Sequence, residues 1–208
     1  MKGSTIMNYQ ANIRSYYDRA SADQIAEGRA WYPSMAATLA NDAARSGLRI
    51  AQVAAVYAAN SINTPWARNL ALASRAIADH AAGRDALCDG GTLGMIIGKV
   101  RAAIAATSDD AIDGIMTSDP HNLKIVNFRR NLIDDPDAVT VDRWAFRIAT
   151  NFEGCECVKA NTHGCGKVPT GNEYRAIADA YRAVASEVGE RAHDLQAITW
   201  CVVRGTGE

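Results

Sequence analysis

Lys124 and Asp142 are the residues of this chain whose types and spacing best suit chemistry. Lys124 follows the turn SDPHNL and stands at the start of the helical run KIVNFRRNLI. A lysine there faces the positive end of the helix dipole, which favours the neutral amine that a nucleophile needs. Asp142 follows the β-like run AVTV and stands at the start of a second helical run, WAFRIA. The same positions have a structural reading, with Asp142 as a helix N-cap and Lys124 as a solvated cation, and caps of this kind are common. A second set is Cys155, Cys157, His163 and Cys165, whose three thiolates and one imidazole could complete a tetrahedral zinc site. Their C-x-C-x5-H-x-C spacing is not that of a standard finger, so zinc and no metal stand level, with no cofactor otherwise required. Arg129, Arg130, Arg143 and Arg147 form a third set, read either as phosphate contacts or as a solvated face paired with Asp134, Asp135 and Asp137.

The elements that must position these residues read as helices. Residues 1–15 are polar and expected to be loosely held. A helix is expected from about Ser21, with Pro33 opening a second one that stops at Gly47. Ile50, Val53, Ala54 and Tyr57 have the spacing of a core helix over 48–61. Thr64 and Pro65 read as the cap and first turn of a helix reaching His80. Gly94 and Gly98 suggest close helix packing in a segment too short and charged to cross a membrane. GGTLG lacks the lysine and the preceding strand of a phosphate loop. Ile112, Ile115 and Met116 face inward in one short helix, and Ile125, Phe128, Leu132 and Ile133 in the next. The last helices end at Gly189 and Gly205, the final one, DLQAITWCVVRG, being a closing core helix. No ladder of strands is evident, so the expected fold class is all-α.

The totals narrow the function classes. The 208 residues suffice for one domain with a real core, and 48% of them are hydrophobic. With 22 basic and 23 acidic side chains the net charge is −1, so any nucleic-acid surface must be local. No apolar run is long enough to span a membrane, and the N-terminus has no signal-peptide core. Five cysteines, an odd count, argue against a disulfide framework. A cytoplasmic protein is expected.

Val141-Asp142-Arg143-Trp144-Ala145-Phe146-Arg147 is similar to the V-D-T-H-V-x-R motif of the helix-hairpin-helix DNA glycosylase superfamily. The aspartate and the later arginine match, while Arg143 and Trp144 replace threonine and histidine. The spacing from Lys124 to Asp142 resembles that of the lysine-using members. Upstream, Ser61, Asn63 and Asn69 occupy roughly the places of the family's S-x-Q loop and of an asparagine on the following helix. The similarity runs in order over about residues 50–150. It departs at the hairpin: where the family has L-P-G-V-G, this chain has Ser118, Asp119, Pro120, His121 and Asn122. Pro120 has no amide to donate and Asp119 repels phosphate. Asn122 can supply one left-handed residue, and His121 a donor.

The resemblance implies a two-lobed helical glycosylase-like fold over residues 1–208, with a central lobe at 50–135 and a terminal lobe from 1–49 plus 136–208. It implies double-stranded DNA as partner, with a flipped-out base. Asp142 would stabilise charge at the sugar C1′, and Lys124 would attack there and form a Schiff base. Asn122, His121, Arg143, Arg147, Asn63 and Ser61 would contact DNA, and Trp66, Trp144 and Tyr57 would line the base pocket. The C-terminal wording resembles uncharacterised phage proteins, which places the chain in the cytoplasm of a bacterial host. Three function classes follow: a base-excising enzyme, a transferase modifying phage DNA on the same scaffold, and a non-catalytic binding or inhibitor protein that kept the fold.

Overall fold

The computed structural model describes residues 8–62, 64–118, 122–151 and 169–205. Among them are ten α-helices and no strand. The chain divides into two compact units, one of residues 1–31 and 136–208, the other of residues 32–135.

The central unit is built around α3 (Ile50–Asn60), whose residues from Gln52 to Asn60 are all buried. Small side chains make this possible, since AQVAAVYAAN lets neighbours approach on every side. Those neighbours are α4 (Trp66–Ala81), α5 (Gly94–Ala105), α6 (Asp109–Thr117) and α7 (Leu123–Leu132). The Gln52 side-chain amide donates to the carbonyls of Ile104 at 2.6 Å and Ala106 at 3.1 Å, satisfying the end of α5. The terminal unit holds α1 (Tyr9–Tyr17), the first part of α2 (Ala22–Ser46), α8 (Arg143–Ala149), α9 (Gly171–Val188) and α10 (Ala192–Arg204). Ile13, Tyr16, Ile148, Ile177, Tyr181 and Leu195 form its core. Thr170 and Glu173 close a capping box at the start of α9, and Gly189 ends that helix at φ +75°.

Several local expectations change. Residues 9–17 are a helix that buries Ile13 and Tyr16, because these two lie on one face of otherwise polar sequence. Pro33 lies inside a single helix, α2, rather than opening a second one. Pro65, not Thr64, is the N-cap of α4, and the Thr64 hydroxyl instead donates to the Ile62 carbonyl. Ile133, expected in the core, is exposed. Gly94 and Gly98 are exposed, and a Cβ at either would meet nothing within 4 Å. The close helix approach is at Gly28 of α2, where a Cβ would stand 2.6 Å from the Ile198 Cα of α10. The AVTV run is a buried connector. The Tyr174 hydroxyl donates to the Val139 carbonyl at 2.8 Å and accepts from the Val141 amide at 3.0 Å.

Candidate functional site

Buried Val141 and the cap at Asp142 fix the start of α8. Asp142 Oδ1 accepts from the amides of Trp144 at 2.9 Å and Ala145 at 2.8 Å. An anion at a helix N-terminus is doubly favourable, by hydrogen bonding and by the dipole. Burial raises the pKa of the Tyr181 hydroxyl against the opposing hydrogen bond with Thr199, and the charge of the half-buried Asp142 adds to the rise.

From this start α8 presents arginines and an indole. The Arg147 guanidinium lies 4.8 Å from the centre of the Trp144 ring. Arg204, the last residue of α10, lies 5.1 Å from the same ring and 5.7 Å from that of Trp200. Arg143 and Arg147 are four residues apart on α8, a separation that brings like charges together. Burial, followed by repulsion from Arg143, lowers the pKa of Arg147. The result is a run of guanidinium and indole groups, Arg147–Trp144–Arg204–Trp200, with Arg143 beside it. Two of its members were not foreseen: Trp200 and Arg204 were assigned to a core helix. Their four-residue spacing on α10 is the signal that could have found them.

The α7 start is built differently. Asn122 is its N-cap, but the Asn122 side chain makes no cap hydrogen bond. Its φ is −87°, so it does not supply the left-handed residue expected at this point. Lys124 Nζ donates to the carbonyl of Ser61, the C-cap of α3, at 2.7 Å. The ammonium thus sits at the negative end of α3, where a cation belongs, although it lies near the start of its own helix. Trp66 packs edge-to-face on Phe128, with ring centres 6.2 Å apart.

The other residues singled out in the sequence fall as follows. Tyr57 is wholly buried, and its hydroxyl donates to Asp42 at 2.8 Å. Burial pushes its pKa up to about 12. It is a core residue with no face open to a base. Ser61 is buried and its hydroxyl donates to the Ala58 carbonyl at 2.7 Å, which leaves it no surface for DNA. The Trp144 ring already carries two guanidinium groups, so it holds arginines where a base was expected to stack. Arg129 and Arg130 pair with Asp113 and Asp135. Asp142 belongs to the terminal unit and Lys124 to the central one. Asn63, His121, Cys155, Cys157, His163 and Cys165 lie outside the described residues. Among the described residues no group of three or more His, Cys, Asp or Glu could hold a metal. None of the described helices is long and apolar enough to cross a membrane.

A model of a family of unknown function, DUF7178, matches residues 1–207. No curated protein and no solved structure matches the chain.

Proposed function

This chain belongs to the DUF7178 family, whose function is unknown, and we propose that it binds nucleic acid through the arginine–indole face of α8 and α10. The observation that carries this reading is the stacking of Arg147 and Arg204 on Trp144, and of Arg204 on Trp200. Stacking on an indole restricts the side chain through the face of the guanidinium, while phosphate is recognised through its N–H edge in two parallel hydrogen bonds. Each such stack contributes on the order of 0.5–1 kcal/mol at an exposed site, enough to bias the rotamers before a ligand arrives. Arg143 adds a third charge whose repulsion with Arg147 is relieved when an anion sits nearby. The recognised feature is the sugar–phosphate backbone, which makes binding tolerant of sequence and sensitive to salt.

A base-excising reaction is the second reading, favoured by the position of Asp142 immediately before Arg143 and Trp144. In it Asp142 stabilises the developing charge at C1′ while Lys124 supplies the amine. Both groups would first give up part of their structural work, Asp142 at the α8 amides and Lys124 at the Ser61 carbonyl.

Fluorescence anisotropy with labelled single-stranded and duplex oligonucleotides, each over a salt series, tests the binding reading. Arg143→Ala, Arg147→Ala and Arg204→Ala should each weaken binding and lower the salt slope by about one. Asp142→Asn should leave binding unchanged. No binding of either oligonucleotide at low salt, or unchanged affinity in all three arginine variants, would end the proposal. Borohydride trapping on oligonucleotides with damaged bases decides the second reading, which requires a trapped adduct that Lys124→Ala abolishes.

A further inference from the structure

We infer that the central unit holds a buried site for a small neutral molecule with a carboxamide, lactam or imide edge, formed where α3 ends and α4 and α7 begin. These three helices each carry an asparagine with at least one buried side-chain atom that has no hydrogen-bond partner. Asn69 of α4 is 1% exposed, and neither its amide nitrogen nor its amide oxygen has a hydrogen-bond partner. Asn60, the last residue of α3, is fully buried; its nitrogen donates to the Val56 carbonyl but its oxygen has no partner. Asn122 Nδ2, at the start of α7, is buried and also without one. The chain itself gathers them. Asn60 adjoins Ser61, whose carbonyl accepts from Lys124, two residues after Asn122. Trp66, one turn before Asn69, packs on Phe128, one turn after Lys124.

A buried amide without partners is costly, roughly 1–3 kcal/mol for each group left unmade. Folded proteins rarely keep such groups without a partner, whether protein, water or ligand. Their chemistry selects its class. Carboxamides present donors and acceptors side by side, and they pair best with a group that does the same. A charged ligand is disfavoured, because burying an ion demands an opposite charge. Lys124, the cation beside Ser61, already donates to its carbonyl. The edge-to-face pair of Trp66 and Phe128 offers an apolar wall for a planar molecule. This site belongs to the central unit and the arginine–indole face to the terminal one.

Isothermal titration and thermal unfolding with nicotinamide and with uracil, as carboxamide and imide probes, test the inference on the full chain. At least one probe should bind saturably at one per chain and raise the Tm. Asn69→Leu, close to isosteric, should abolish the response while the unliganded protein melts at the same temperature or higher, since the unpaired amide is gone. Should Asn69→Leu not fold, Asn122→Ala serves, because its side chain makes no cap bond. It should weaken binding by about tenfold. Absence of saturable binding by both probes, or binding unchanged in the variant, would overturn the inference.

Discussion

The helices that carry Asp142 and Lys124 begin in opposite ways. At α8 the side chain before the helix is an anion that turns back on its own first amides. At α7 the capping position holds an amide that makes no such bond, and the charge near the helix start is a cation aimed at another helix. Each charged group is therefore at a dipole end of the right sign, Asp142 on α8 itself and Lys124 on α3. The difference teaches that a charge at a helix start has to be judged by the helix it serves. Lys124 looks misplaced on α7 and becomes well placed once Ser61 is seen beneath it. Asp142 and Lys124 thus each have a structural occupation, one in the terminal unit and one in the central unit.

The largest effect is expected from removing the cation. Lys124→Met keeps the length of the stem but takes the donor from the buried Ser61 carbonyl. Hydrogen bonds to charged groups contribute about 1.5–3 kcal/mol, and the loss should appear in urea unfolding as a lower midpoint with an unchanged slope. Lys124→Arg, which retains a donor, should recover part of it. A wild-type midpoint for Lys124→Met would mean that the lysine is held there for something other than the end of α3, and would reopen its role as a nucleophile.

The aspartate should matter less and in a way that depends on the replacement. Asp142→Ala removes the acceptor for two amides and should cost about 1 kcal/mol. Asp142→Asn caps almost as well and should cost only a few tenths. That pair of variants separates cap from catalyst. An activity lost in Asp142→Asn without loss of stability would show that the carboxylate is used for its charge on a substrate.

The cap at Asp142 was readable because capping is local: the acceptor and both amides lie within four consecutive residues. The core helix α3 was readable for a similar reason, since the spacing of Val53, Ala54 and Tyr57 marks it without reference to its neighbours. What could not be read depends on residues far apart in the chain. Lys124 finds Ser61, Arg204 finds Trp144, and Gly28 meets Ile198, and no periodicity near any of them reports its partner. The glycines at 94 and 98 show the converse, a spacing known from close packing that here faces open space. The resemblance to a glycosylase rests on the stretch from Val141 to Arg147. It assigned Tyr57 and Ser61 to surfaces that burial denies them.

The smallest effect sharpens the contrast between the two helix starts. Asn122→Asp gives α7 the residue that caps α8. It should not reproduce the cap, because ψ at this position is 23°, against −172° at Asp142. An N-cap side chain reaches the next amides from extended backbone, and a residue already turned toward the helical region does not aim its side chain at them. What the added carboxylate gains is its charge near the positive end of α7 and near Lys124, about 0.3–1 kcal/mol at low ionic strength and less in salt. Thermal unfolding of Asn122→Asp at two salt concentrations measures it. A gain that survives high salt would mean that the backbone at 122 has moved into extended geometry and formed the hydrogen bonds that Asp142 makes at α8. The two starts would then differ only in the residue that occupies them.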